Sequence, residues 1–376
     1  MAKRAYIGVD GKARKVKKIY LGVEEKARKV KKAYAGIGGV ARPIFSSGLE
    51  YYGPIAPLSD TREFLAATTV GDYALFGGGD YTKVVDAYDK SLTRSTPSPF
   101  SKTRYNFAAT TVGDYALFGG GNFGPDIVDA YNKSLTRSTP TPFSEPRAQL
   151  AATTVGDYAL FGGGYWNTSP VTAEAYNKSL TKSTPTALSK GRSKLAATTV
   201  GDYALFGGGS SGSYDDTVDA CNKALTRITP TPLSERREHL AATTVGDYAL
   251  FGGGAGEGDS EEATDTVDAY NKSLTRITPT PLSERRESLA ATTVGDYALF
   301  GGGYLYSRYA STGTVIYATV DAYDKSLTRS TATPLNEGRC YHAATSVGGY
   351  AIFGGGRPHY TEHPIKTSTV EVYTVN

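Results

Sequence analysis

The chain has 376 residues but only two cysteines, four histidines, one methionine and one tryptophan. Two cysteines, Cys221 and Cys340, cannot build the disulfide framework that staples small secreted folds. Four histidines leave little for a metal cluster or for imidazole catalysis. The densest acid–histidine string, Pro358-His359-Tyr360-Thr361-Glu362-His363, lacks the spacing of a helical zinc motif, so no metal and no other cofactor is expected. No apolar run approaches the ~18 residues of a transmembrane helix, and no membrane insertion is expected. The basic N-terminus lacks the apolar stretch of a secretory signal peptide, which implies synthesis in the cytoplasm without that route of export. In that context the sequon Asn167-Thr168-Ser169 is idle.

The net charge of +4 hides a division. Residues 1–45 carry 13 Lys/Arg and 3 Asp/Glu, whereas residues 46–376 carry 28 and 34. The body is mildly acidic, which argues against nucleic-acid binding.

What is abundant is repetition. GDYALFGGG starts at Gly71, Gly113, Gly156, Gly201, Gly246 and Gly295, and GGYAIFGGG starts at Gly348. The steps are 42, 43, 45, 45, 49 and 53 residues. Each unit parses into four strands. AATTV is strand A, Gly-Asp a two-residue hairpin turn, YALFG strand B, TVDAY strand C, and the Pro-rich LTRSTPTPLS an outer strand D. Four short strands repeated seven times predict an all-β, seven-bladed β-propeller. Strands A, B and C occur seven times but only six D strands follow a C strand. The missing one is Leu49–Ser59, expected to pair with Thr369–Tyr373 and close the ring without a covalent link.

The units resemble the kelch repeat, through Arg62 before strand A, the Gly78-Gly79 pair after strand B and Asp86-Ala87-Tyr88 in strand C. The resemblance covers residues 49–376, and it departs from the family in lacking a strand-D Trp. Seven arginines (Arg62, Arg104, Arg147, Arg192, Arg237, Arg286, Arg339) face seven acids (Asp86, Asp129, Glu174, Asp219, Asp268, Asp321, Glu371). A catalytic site would make one blade special, so this uniformity predicts packing ion pairs and no enzyme. Cys221, in place of a strand-C Tyr, reads as a buried small hydrophobe.

Residues 1–47 form a separate head with a 14-residue period, marked by Tyr6, Tyr20 and Tyr34 and by Lys-Ala-Arg-Lys-Val-Lys-Lys at 12–18 and 26–32. Alternation at Ile19, Leu21 and Val23 predicts strands, four in all, with turns at Asp10-Gly11, Glu24-Glu25 and Gly38-Gly39. So small a unit is expected to gain stability from an oligomer or a host assembly. The head resembles N-terminal modules of tail-associated proteins in phages and prophages of gut Firmicutes. That resemblance implies a virion location, with residues 1–47 docking the chain to the virion or another assembly.

Among the connections, the A–B and C–D turns are nearly constant, and the variation falls in the B–C loops and in two D–A positions after the Arg. Antiparallel strands put these on one face of the disc. The candidate binding residues there are Tyr81, Tyr105, Phe123, Tyr165, Trp166, Asn167, Tyr214, Tyr304, Tyr306, Tyr309, Tyr317, Tyr341, His359 and Tyr360. Aromatics among Ser, Gly and Asn suit an adaptable recognition surface. The expected partner is a host-surface glycan or protein; the alternative is a bacterial kelch-type scaffold for another protein.

Overall fold

The computed structural model describes residues 48–123, 125–256, 263–306, 314–358 and 365–375, and the backbone of six strands between Tyr6 and Ser46. Residues 48–375 form seven four-stranded antiparallel sheets in a ring. In blade 1 strand A is Ala66–Val70, B is Tyr73–Gly77, C is Val85–Asp89 and D is Arg94–Ser95. The other blades repeat this order.

Strand A alternates between buried and half-buried positions, while B and C are buried almost throughout. The cause is position. B and C lie mid-sheet and are covered on both faces by neighbouring blades, which explains their near-continuous apolar sequence. Strand A is innermost and packs on the A strands of both neighbours. There Thr110 Oγ1 and Thr154 Oγ1 lie 2.8 Å apart, and equivalent threonine pairs join successive blades around the axis.

The core is divided between the blades. One cluster joins Leu75, Val85 and Phe100 of blade 1 to Phe107, Phe118 and Tyr131 of blade 2. Strand D is shorter than the sequence suggests: it keeps two residues in blades 1–5 and three, Arg329–Thr331, in blade 6. Proline cannot donate to a ladder, so the Thr-Pro segment leaves the sheet and carries Phe100 across to the next blade's core.

The ring closes as expected. Leu49–Ile55 pairs with Val370–Val375, with a bulge between Val372 and Tyr373. The closing strand ends at Ile55 rather than Ser59. Leu58, Phe76 and Tyr88 then pack on Val347, Ile352 and Val372, which gives this junction a core like the other six.

The seven arginines are fully buried. Arg237 lies 2.8 Å from Asp268 and donates to the carbonyls of Phe251, Gly253 and Thr266 at 3.2, 3.0 and 2.6 Å. The same pairing recurs in every blade, the loosest being Arg147–Glu174 at 3.7 Å. Burial lowers the Arg237 pKa and the adjacent Asp268 raises it again. These pairs are scaffold.

Between Tyr6 and Ser46 the backbone makes three hairpins: Tyr6–Val9 with Lys12–Lys15, Ile19–Val23 with Lys26–Val30, and Lys32–Ile37 with Val40–Ser46. The described backbone holds six strands rather than four, because the Lys/Arg runs at Lys12–Lys15 and Lys26–Val30 are themselves return strands; the three predicted turn positions lie outside the described residues.

Candidate functional site: the loop face and its axial ring

The two faces are built differently. On one, each A–B turn aspartate meets the C–D turn lysine of its own blade, as in Lys133–Asp114 at 2.5 Å, in six blades. The lysine stem also covers the glycine of the preceding blade's turn. A Cβ on Gly113, at φ +53°, would sit 2.8 Å from Lys178 Cγ. The constancy of these turns therefore has a structural cause.

On the other face the two variable D–A positions have separate roles. The first pairs with the start of its own blade's B–C loop. Ala148 bridges Tyr165, Ser193 bridges Ser210, Glu287 bridges Tyr304 and Cys340 bridges Arg357. In blades 1 and 2 the Asp80 and Asn122 amides donate to the Glu63 and Tyr105 carbonyls at 3.1 and 3.0 Å, and in blade 5 Glu238 pairs with Ala255. The Gly pair makes this extension possible. Gly79 turns at φ +93°, and a Cβ there would lie 2.5 Å from the Glu63 carbonyl oxygen.

The second position forms a closed circle of backbone hydrogen bonds about the axis. Phe64 N–H donates to Tyr341 C=O at 2.9 Å, Asn106 to Phe64 at 3.3 Å, Gln149 to Asn106 at 2.7 Å and Lys194 to Gln149 at 2.8 Å. His239 donates to Lys194 at 3.0 Å, Ser288 to His239 at 3.0 Å and Tyr341 to Ser288 at 3.1 Å. All seven residues sit in the left-handed region, at φ 53–58°. Their side chains rim an axial cup of about 210 Å³, floored by Leu or Phe in six blades and by His342 in the seventh.

The cup's charges are largely matched. Lys194 Nζ lies 2.9 Å from Glu238 Oε1. Burial pushes His239 down to about 4 and His342 down to about 3, so both imidazoles are neutral at pH 7. Burial pushes the Glu287 carboxyl up to about 7, opposed by a hydrogen bond from Tyr304. Glu63 is held by Arg357 in a two-pronged pair, at 2.6 Å for Nε. Burial also raises the thiols of Cys221 and Cys340, to about 11 and about 12.

Several predicted aromatics join into one strip across this face. Ring centroids step from Phe123 to Tyr81 (5.5 Å), to Tyr105 (5.8 Å), to Phe64 (6.3 Å), to Tyr341 (4.3 Å) and to Tyr304 (5.7 Å). The strip runs from exposed rings at the rim, Tyr81 and Phe123, to the buried Tyr304, whose hydroxyl lies 2.9 Å from that of Tyr341. Tyr165, Trp166 and Asn167 stand exposed on blade 3 and Tyr306 on blade 6, while Tyr214 and Tyr317 are half-buried. Tyr309, His359 and Tyr360 lie outside the described residues. Phe64 and the polar members of the circle were not among the named candidates, although their variability between copies was visible in the sequence.

No protein-family model matches the chain, and no curated protein matches it. Among solved structures, one titled "Structure of YjhT" is similar over 86% of this chain and 97% of its own, at 12% identity and a TM-score of 0.58. The likeness is one of fold. Both the ring of sheets and this neighbour identify the chain as a β-propeller.

Proposed function

We propose that the chain is a non-enzymatic binding protein of a phage or prophage tail, whose B–C and D–A loops recognise a host-surface glycan or protein. One observation carries this reading. All seven blades make the same backbone bonds on the loop face, yet the side chains they display there are unlike. A merely structural face with a fixed backbone has reason to keep its side chains fixed as well, as the Asp–Lys face does. Binding residues are commonly carried by loops on a rigid scaffold. Exposed Tyr81, Phe123, Tyr165, Trp166 and Tyr306 supply rigid amphipathic anchors.

In this reading residues 1–47 attach the propeller to a virion or another symmetric assembly, and a homo-oligomer through the head is compatible with that role. The support is the concentration of Lys and Arg in that segment against an acidic body. The test is to measure full-length protein on a glycan array and on intact gut Firmicutes cells, before and after exchanging loop 304–319 for the short loop 80–84. Folding should survive, because the flanking strands are unchanged, and binding should change. Binding that persists after replacement of all seven B–C loops would overturn the proposal.

A further inference from the structure

We infer that the axial cup is a subsite for a single neutral pyranose ring, the terminal sugar of a glycan; this rests on the reading of the loop face as a ligand surface. The first ground is the hydrogen-bonded circle. At φ near +55° glycine is the favoured residue, yet seven blades carry Phe, Asn, Gln, Lys, His, Ser and Tyr there. The C–D turns also hold a left-handed residue, but it is leucine in all six. Diversity at a position whose backbone prefers no side chain points to what those side chains face.

The second ground is how the rim is divided. Phe64 and Tyr341, 4.3 Å apart, make an aromatic wall. Asn106 and Gln149 adjoin it on the Phe64 side and Ser288 on the Tyr341 side, so polar side chains flank the wall at both ends. A pyranose has an apolar C–H face and a perimeter of hydroxyls that both donate and accept. Side-chain amides and a serine hydroxyl offer both functions in return.

The third ground is a vacancy in the hydrogen bonding. Ser288 is 9% exposed, and its Oγ is buried with no hydrogen-bond partner. A buried hydroxyl left unpaired costs free energy, which a ligand hydroxyl would recover once the Ser288 side chain rotates into the cup.

Charge and size narrow the class. Lys194 is matched by Glu238 and the imidazoles are uncharged at pH 7, which favours a neutral sugar over an acidic one. The volume of about 210 Å³ falls below the ~300–1,000 Å³ of drug-sized sites, so the cup takes one ring.

The test uses full-length protein with the methyl glycosides of galactose, glucose, mannose and N-acetylglucosamine, read by saturation-transfer NMR and calorimetry. Phe64→Gly and Gln149→Gly remove one aromatic and one polar side chain while suiting the left-handed backbone, so both variants should keep the parent's melting behaviour. At least one glycoside should bind saturably, and each substitution should weaken it tenfold or more. No saturable glycoside, or binding that both variants retain, overturns the inference. A site that prefers a peptide or an acidic sugar also overturns it. Glycan-array binding lost on loop exchange but kept by Phe64→Gly removes the cup and leaves the loop-face reading standing. If neither change affects array binding, both fall.

Discussion

Each blade buries one arginine completely, at the same place in all seven repeats. Arg237 is fully buried, and its charge is balanced by Asp268 and three carbonyl oxygens. Removing one partner of such a pair leaves an uncompensated buried charge, at about 3–5 kcal/mol. Arg237→Met should therefore cost that much in chemical denaturation, because the outer Arg276 reaches Asp268 only at 3.8 Å. A loss under ~1 kcal/mol would mean that the pair is dispensable.

Glu287 offers a test of sign. Its ordinary pKa of 4.5 is raised to about 7 on folding. Between those values the folded chain holds a proton that the unfolded chain releases, so this group's contribution to stability falls as pH rises through the window. His239 and His342 act in the opposite sense. Their folded values near 4 and 3 lie below the ordinary 6.5, so their contribution is complete above pH 6.5 and is lost as pH falls. Glu287→Gln removes the first effect and keeps the second. The variant should be more stable than the parent at pH 8, by about 3 kcal/mol, with the difference gone by pH 4.5. Thermal melts across that range check it.

At the scale of elements, the two faces predict different sensitivities. The Asp114–Lys133 pair is more than half exposed, and exposed pairs contribute about 0–1 kcal/mol, so Asp114→Asn should be nearly silent. Gly113→Ala should cost more, because its φ of +53° disfavours a Cβ and Lys178 Cγ would lie 2.8 Å from it. Equal melting temperatures for the two variants would contradict this. The hairpins, strand order and frozen turns of these elements were legible in the repeat, because turn chemistry and periodic apolar positions are local properties. The length of strand D was not. Its prolines marked an edge, but where the chain leaves the sheet depends on the next blade's core receiving Phe100 and its equivalents.

At the scale of the molecule, closure is the vulnerable step. The last sheet takes three strands from one end of the repeat and one from the other. Deleting residues 1–59 removes Leu49–Ile55 and Leu58, which opens an edge and uncovers part of the core between blades 7 and 1. The truncated protein should melt lower and associate, by light scattering, whereas residues 48–376 should remain a monomer. A 1–59 deletion that stays monomeric and equally stable would show that the ring needs no such clasp. The docking role proposed for the head predicts that only full-length protein is recovered with the assembly.

The sequence by itself determined the number of blades, the order of strands and the identity of the closing strand. Each of these follows from a pattern confined to one repeat, or from counting repeats, and the buried Arg–acid pairs followed from their uniformity. What only the tertiary structure decided is the axial circle. Phe64, Asn106, Gln149, Lys194, His239, Ser288 and Tyr341 come from seven separate repeats, and only the closed ring brings them into one cup. Their left-handed backbone is likewise no residue preference. It is imposed because each N–H and C=O is committed to a neighbouring blade, a condition that exists only once all seven blades are in place.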